Sequence, residues 1–265
     1  MIHDDLGDRM KKYEYITRTH LVPRTPVIIR LDGKAFHTFT RGFKRPFDDL
    51  FIGAMQDTMQ KLCENIQGCV LGYTQSDEIT LVLVDYKKLT SSAWFDYNIQ
   101  KCCSVAASIA TLYFNQAFRG RVNRYRIAGG GLGSDEDYFF SLLKAYETGA
   151  LFDARAFNVP KEEVTNCLLW RQNDAVRNSI QSVGQAHFSH KQLHGKNCSQ
   201  IKQMLEDECD IVWELLPTHY KRGSCCVKTE DEDGRHQWIV DTNIPIFKGA
   251  DGRGYIEKLL QPEDV

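Results

Sequence analysis

The order of the apolar segments in the first 158 residues limits most strongly how this chain can fold. A β-branched segment at residues 25–32 enters through Pro26 and stops at Asp32-Gly33, which is typical of a strand. Apolar spacing then predicts a helix, a strand hairpin, a second helix and a last strand, at residues 48–66, 69–84, 98–118 and 151–157. This order predicts an α+β fold with a ferredoxin-like sheet and both helices on one face.

The chain beyond Pro160 has a different pattern. Two helical segments and then two short β-like pieces follow, at residues 161–187, 199–209, 224–227 and 238–240. We therefore predict a catalytic sheet domain over residues 1–158 and a helical and β extension, residues 159–265, packed on it.

A glycine-rich segment, Ala128-Gly-Gly-Gly-Leu-Gly-Ser134, comes before the last predicted strand. It lacks the Gly-Lys-Ser/Thr ending of a phosphate-binding loop, and it follows no predicted strand. We interpret residues 129–133 as a connection between elements, and a loop close to the substrate is the alternative.

Composition excludes several classes of protein. The 265 residues are 42% apolar, but no apolar run approaches the roughly 20 residues that a membrane-spanning helix needs. Basic and acidic side chains number 33 and 35, which excludes a wholly basic nucleic-acid binder but not a local basic patch. The nine cysteines contain no Cys-x-x-Cys pair, which argues against a zinc cage or a disulfide framework. Together with a start that lacks the features of a secretory signal, this favours a cytoplasmic protein.

Two acidic turns are the clearest candidates for chemistry. Asp32 ends the first strand beside Gly33, and Asp77-Glu78 lies at the tip of the hairpin. Because the first strand and the hairpin are neighbours in a ferredoxin-like sheet, we expect Asp32 and Asp77 to approach each other at one edge. Two carboxylates and a glycine carbonyl suit Mg²⁺, and two such ions support nucleotidyl transfer. From spacing alone, the alternative that both aspartates are ordinary turn residues remains open.

Basic side chains follow the first acidic turn and recur late in the chain. The first group could hold a triphosphate and consists of Lys34, His37, Arg41, Lys44 and Arg45. The late group could form a face that binds RNA phosphates and consists of Arg171, Arg177, Lys191, His194, Lys196, Lys202, Lys221 and Arg222. In both cases the alternative is a basic surface that faces only solvent.

Four motifs resemble those of the tRNA-histidine guanylyltransferase family and its Thg1-like relatives. They are Arg30-Leu-Asp-Gly-Lys-Ala-Phe-His37, Thr74-Gln-Ser-Asp-Glu-Ile79, Trp170-Arg-Gln-Asn-Asp174 and Tyr220-Lys-Arg-Gly223, in the family's order over about residues 8–228. Phe152-Asp-Ala-Arg155 is similar to the family's Phe-Asp-Gly-Arg. The resemblance implies a polymerase-like palm domain in a homotetramer. It also implies an enzyme that adds nucleotides to the 5′ end of tRNA in the 3′-to-5′ direction, after ATP or GTP has activated the 5′-monophosphate.

The resemblance further implies roles for individual residues. Asp32, the Gly33 carbonyl and Asp77 would bind two Mg²⁺ ions, with Glu78 as a catalytic acidic neighbour. The nucleotide, which is ATP, GTP or another triphosphate, would contact Lys34, Ala35, Phe36, His37, Arg45 and Ser76. The tRNA would contact Arg171, Asn178, Lys196, Lys221 and Arg222.

One departure from the family pattern bears on the substrate. Where the eukaryotic guanylyltransferases have His-Ile-Asn-Asn, this chain has Val176-Arg-Asn-Ser179, in which Asn178 alone matches. In this respect the chain resembles the Thg1-like branch, which rebuilds truncated 5′ ends against the opposite strand. Template-dependent repair and guanylate addition to histidine tRNA are therefore both expected activities. A nucleotidyl cyclase that acts on free triphosphates and a non-catalytic RNA-binding module are the alternatives from other classes.

Overall fold

The computed structural model of the protein describes residues 5–131, 135–231 and 233–263. Predictions that fall on the first four residues and on residues 132–134 of the glycine-rich segment lie outside this part. The strands are β1 (Val27–Gly33), β2 (Cys69–Gln75), β3 (Glu78–Leu83), β4 (Phe152–Asn158), β5 (Ser224–Glu230) and β6 (His236–Asp241). They form one antiparallel sheet in the order β4-β1-β3-β2-β5-β6.

The helices surround this sheet, and most of them connect or follow its strands. They are α1 (Asp5–Ile16), α2 (Phe36–Phe39), α3 (Asp49–Asn65), α4 (Ile99–Ile127), α5 (Glu136–Thr148), α6 (Val164–His187), α7 (His190–Leu193), α8 (Cys198–Cys209), α9 (Thr218–Arg222) and α10 (Ala250–Glu257). No helix in the described ranges combines the length and the apolar character that crossing a membrane would take.

The first four strands form the predicted ferredoxin-like arrangement. Their order is β4-β1-β3-β2, and α3 and α4 pack together on one face of these strands, as predicted. Asp48 caps α3, because its carboxylate accepts a hydrogen bond from the Phe51 N–H (3.0 Å). α4 is longer than the predicted helix, which ended at residue 118, because Phe118 and Val122 continue the four-residue spacing of its buried side chains.

The segment between α4 and β4 differs from the prediction. The glycine-rich segment does not lead directly into the last strand, because α5 lies between them. Leu142 and Ala145 are the buried residues of α5, so this helix presents a narrow apolar stripe to the core. A stripe of two residues is a weak signal in a sequence, which explains why the helix was not predicted.

The later part of the chain covers the other face of the sheet. Ile28, Tyr73 and Val82 point to this face and pack in one cluster with side chains of α6 and α10. The predicted helical segments and β-like pieces beyond residue 160 are all present. Since β5 pairs with β2, residues on both sides of the predicted boundary at residue 158 share one sheet.

Candidate active site

The two predicted acidic turns meet at one end of the sheet. In the antiparallel pairing of β1 with β3, Asp32 lies opposite Glu78. The Gly33 N–H donates to the Asp77 carbonyl oxygen (3.0 Å), which fastens the end of β1 to the hairpin tip. The sheet register therefore brings Asp32 and Asp77 together, as the sequence predicted.

Local chain geometry explains the small residues at this end. A Cβ atom at Gly33 would lie 2.3 Å from the Phe36 ring, so only glycine lets that ring pack over the strand end. Phe36 is itself buried in the core, in contact with the Phe51, Phe114 and Phe152 rings. The Phe36 ring is therefore occupied in supporting the turn, and the predicted contact of residue 36 with a nucleotide stays a prediction for its backbone.

The hairpin tip is a second tight turn. Ser76 has a left-handed backbone (φ 51°), and its hydroxyl donates to Asp77 Oδ1 (3.0 Å). Burial raises the pKa of Asp77, the hydrogen bond from Ser76 lowers it, and the nearby Asp32 carboxylate adds to the rise. Two carboxylates that repel each other at a half-buried site are an arrangement that a cation would stabilise.

The donor atoms at this site fit a hard cation. Two carboxylates and the Gly33 carbonyl offer oxygen ligands of the kind that Mg²⁺ takes in proteins. No group of three or more His, Cys, Asp or Glu side chains suited to a metal occurs among the described residues. The remaining ligands of such an ion would therefore be water and substrate phosphates, which is the usual way Mg²⁺ is held beside a nucleotide.

Glu78 has a fixed partner in the later part of the chain. Its Oε1 accepts a hydrogen bond from Arg171 Nε (2.7 Å), and Arg171 also donates to Asp174 (2.9 Å). Glu78 and Arg171 are each 8% exposed. Burial raises the pKa of Glu78, and the Arg171 guanidinium opposes that rise. The expectation that Arg171 faces tRNA is wrong in this respect, because its guanidinium is the counter-charge of a buried carboxylate.

Lys221 is a second basic residue that the structure places inside. It is 7% exposed, and its ammonium donates to the Glu214 carbonyl oxygen and lies 5.8 Å from the centre of the Trp213 ring. Burial lowers the pKa of Lys221. Its predicted place on an exposed tRNA-binding face is therefore also wrong. Arg222 is half-buried, whereas Asn178 and Lys196 are exposed as that prediction requires.

A cavity of about 460 Å³ lies beside the hairpin tip. The loop before α3, the N-terminal half of α3, the hairpin, α6 and α9 form its walls. Of the residues predicted to bind nucleotide or tRNA, the cavity is lined by His37, Arg45, Ser76 and Asn178. Lys34 and Ala35 are exposed on the turn that follows Gly33. They lie outside the lining of this cavity.

The sequence motifs do not point to several residues that line the cavity. Phe47 and Tyr220 stack face to face, with ring centres 4.4 Å apart, and both line the cavity. Tyr220 stands beside two cations in its motif, which marks it as a candidate binding residue, but nothing in the sequence pairs it with Phe47. Asp153 is a further acidic residue here, since β4 places it directly opposite Asp32.

Comparison with known proteins agrees with this geometry. The family model for Thg1, tRNAHis guanylyltransferase, matches residues 7–160. A probable tRNA(His) guanylyltransferase of Dictyostelium discoideum is 27% identical over 234 residues, which cover 82% of each protein. Solved structures of a bacterial tRNA(His) guanylyltransferase (Thg1)-like protein, in complex with ATP and with GTP, are 39% and 36% identical, with TM-scores of 0.82 and 0.75. Both comparisons cover 97% of this chain and 99% of the other. This chain therefore belongs to the tRNAHis guanylyltransferase family, whose members are nucleotidyltransferases with a palm-like α+β fold.

Proposed function

We propose that this enzyme adds nucleotides to the 5′ end of tRNA in the 3′-to-5′ direction. One observation carries the proposal: β1 and β3 bring Asp32 and Asp77 together beside a cavity of about 460 Å³. Acidic groups next to a space of nucleotide size suit a displacement at phosphorus, which needs positioning and charge stabilisation more than covalent chemistry. The family match supports the same activity, and so do the complexes of the bacterial relative with ATP and GTP.

The proposed cofactor is a pair of Mg²⁺ ions, held by Asp32, the Gly33 carbonyl and Asp77. When bound, Mg²⁺ would neutralise charge on phosphoryl oxygens and favour attack by a hydroxyl group. The residues themselves would orient the phosphates, because both carboxylates are fixed by the same end of the sheet. The turn that carries Lys34 and Ala35 adjoins Gly33 and would contact the phosphates from that side.

The cavity walls support separate roles for the other residues. Arg45 would place positive charge against the triphosphate, His37 would offer a further hydrogen-bonding group, and Ser76 would contact the triphosphate at the hairpin tip. The stacked pair Phe47–Tyr220 would form an apolar wall for the base. This arrangement would keep the reacting phosphorus close to the carboxylates.

The reaction would proceed through two displacements. The 5′-monophosphate of the tRNA would first attack ATP or GTP, which forms an activated 5′ end and releases pyrophosphate. The 3′-hydroxyl of the incoming nucleotide would then attack the activated phosphate and release the nucleoside monophosphate. Both steps are in-line displacements with charge spread over phosphoryl oxygens, so one site with fixed positive groups serves both.

Among the activities of this family, we propose that this enzyme carries out template-dependent repair of 5′-truncated tRNA. The stretch Val176-Arg-Asn-Ser179 replaces the His-Ile-Asn-Asn of the eukaryotic guanylyltransferases, and Asn178 is the residue of the stretch that matches. Ser179, which stands where those enzymes have the last Asn of the stretch, lines the cavity beside Asn178, so the departure changes the wall of the proposed nucleotide site. Guanylate addition to histidine tRNA is the second activity that the family membership favours.

To test the proposal, the enzyme is incubated with 5′-truncated tRNAs and each nucleotide in turn, together with ATP and Mg²⁺. We expect the added base to follow the base on the opposite strand, and addition to stop in EDTA. Addition of guanosine alone, whatever the opposite base, would assign guanylate addition instead. Conversion of free ATP or GTP to a cyclic product without RNA would identify a cyclase. RNA binding that ignores Mg²⁺, with no addition at all, would identify a binding module.

We also propose a homotetramer in the cytoplasm. The observation that supports an assembly is α1, which has no buried residue and exposes Leu6, Met10 and Tyr13 at the spacing of one helix face. Light scattering on the purified protein would measure the mass directly, and a monomer at micromolar concentration would contradict the tetramer.

A further inference from the structure

Trp170, on α6, holds an exposed indole ring close to the acidic end of the sheet. Among the four tryptophans, Trp94 and Trp213 are buried at 7% and 9% exposure, whereas Trp170 is 54% exposed. Substitution of Trp170 removes a smaller share of buried surface than substitution of Trp94 or Trp213, so the fold depends less on this ring than on those two. A large aromatic surface left open beside a reaction site is available for a ligand.

Two guanidinium groups accompany this ring. Arg171 lies 4.4 Å and Arg30 lies 5.3 Å from the ring centre, both within the distance of a cation–π contact. Arg171 is tied to Glu78 and Asp174. Arg30 forms no ion pair with a carboxylate in the described part of the chain. Arg30 acts on the nearby Glu78 carboxylate only through space. A guanidinium without an ion pair beside an exposed aromatic ring suits a nucleotide, which has a flat base and an anionic phosphate.

The position of the ring relative to the carboxylates specifies which nucleotide it would hold. Arg30 precedes Asp32 by two residues on β1, so both side chains point to the same face of the sheet. Trp170 does not line the cavity, which lies at the end of β2, and β3 separates β2 from β1. Trp170 contacts Arg30, two residues from Asp32, and Ser76, next to Asp77, lines the cavity, so the two carboxylates adjoin both surfaces. A transfer between two substrates needs this arrangement, with one substrate on each side of the reacting phosphorus.

We propose that Trp170 is the stacking platform for the 5′-terminal base of the RNA, and that Arg30 pairs with the adjoining phosphate. The inference rests on the proposed function, because it assigns the second substrate of the same reaction. The cavity is the proposed place of the incoming nucleoside triphosphate, so Trp170 would give the RNA end a second surface outside it. An aromatic face binds any of the four bases, which suits an enzyme that extends 5′ ends of different sequence.

The test measures RNA binding rather than nucleotide addition. One RNA carries a 5′-monophosphate on a normal terminal nucleotide, and its matched partner carries the same phosphate on an abasic one. We expect the wild-type protein to bind the abasic RNA about tenfold more weakly, which is the order of one base–aromatic stacking contact. We expect Trp170→Leu to bind both RNAs equally and weakly, and Trp170→Phe to recover most of the preference.

A matched control is available at the opposite end of β1. Phe95 is 41% exposed and has the Lys101 ammonium 5.8 Å from its ring centre, so it is also an exposed aromatic side chain with a nearby cation. Its segment joins the chain before β1, since the Tyr97 carbonyl accepts from the Leu21 N–H. We expect Phe95→Ala to keep the full preference for the RNA with a terminal base.

Three results would overturn the inference. The first is a tenfold preference that survives in Trp170→Leu, and the second is a loss of ATP or GTP affinity in that variant with RNA affinity unchanged. The third concerns quenching of Trp170 fluorescence by acrylamide, which is the quenching of the wild type minus that of Trp170→Phe. Equal quenching of Trp170 with and without RNA would mean that no base covers its ring. Nucleotide addition by the wild type is assayed separately, so failure of the proposed reaction and failure of the stacking site give different patterns.

Discussion

The early strands and the later helices contribute to the same site in different ways. Asp32 and Asp77 belong to β1 and the hairpin, and backbone pairing places them whatever surrounds their side chains. Arg171 and Lys221 come from α6 and α9, and each cation is placed by an acceptor that it satisfies inside the protein. A charged residue at a strand end is therefore a better guide to a site than a charged residue on a helix. Its exposure on a helix depends on distant partners that no local pattern reveals.

The largest expected effect comes from substitution of Asp32 or Asp77, the two proposed ligands of Mg²⁺. We expect Asp32→Asn or Asp77→Asn to lower nucleotide addition by about 10³-fold or more, because each change removes a charge that would hold Mg²⁺ against the phosphates. The melting temperature should stay close to the wild-type value, since each change also removes repulsion between Asp32 and Asp77. Asp207→Asn, at an exposed carboxylate on α8, is the matched control and should leave addition unchanged. Full activity of either first variant in Mg²⁺ would contradict the metal-ligand assignment.

The next largest effect concerns the ion pair between Glu78 and Arg171, which joins the early strands to the later helices. We expect Arg171→Met to lower the free energy of unfolding by about 3 to 5 kcal/mol, because Glu78 would remain buried without its counter-charge. Chemical denaturation measures this change. Arg177→Met is the matched control on the same helix, because Arg177 also pairs with Asp174 but its side chain is exposed. A loss below about 1 kcal/mol in Arg171→Met would show that the pair does not fasten α6 to the hairpin.

A double variant distinguishes a role of the Glu78–Arg171 pair in stability from a role of Glu78 in catalysis. Glu78→Leu combined with Arg171→Met should recover most of the lost stability, because it removes both buried charges together. If Glu78 is catalytic, as the family resemblance implies, the double variant should fold and still fail to add nucleotides. Recovery of both stability and nucleotide addition would mean that Glu78 serves only to anchor α6.

A smaller effect separates two basic residues of the loop before α3. Arg45 lines the cavity, whereas Arg41 is exposed and lies outside its lining. We expect Arg45→Ala to weaken ATP and GTP binding about tenfold, the order of one charge-assisted hydrogen bond, and Arg41→Ala to leave it nearly unchanged. Isothermal titration would measure both affinities. Equal losses in the two variants would indicate a general effect of positive charge rather than a contact with the triphosphate.

The sequence was sufficient for the parts of this molecule that depend on local pattern. The strand ending at Asp32, the hairpin around Ser76 and the two core helices all follow from periodicity and turn chemistry, and their order limits the sheet to one arrangement. The approach of Asp32 to Asp77 follows from that arrangement alone. Recognition of the family motifs extended this to the activity.

The rest depended on contacts between residues far apart in the chain. Arg171 and Glu78 are separated by 93 positions, and Phe47 and Tyr220 come from different regions, so no window of sequence contains either pair. The burial of Phe36 has the same origin, because the rings that enclose it come from α3, α4 and β4. Sequence spacing predicts on which face of a helix or strand a residue lies, but tertiary packing determines what that face contacts.

The smallest expected effect returns to the comparison between exposed and buried cations. Lys196 is exposed and Lys221 is buried, although both looked alike as basic residues of the later region. Lys196→Ala should weaken tRNA binding modestly and reduce the slope of log affinity against log salt by about 1, because one phosphate contact releases about one counterion. Lys221→Met should lower the melting temperature and leave that slope unchanged, since its ammonium is bound to the Glu214 carbonyl oxygen. A reduced slope in Lys221→Met, with no change in Lys196→Ala, would mean that tRNA binding opens α9 and draws its buried cation to the surface.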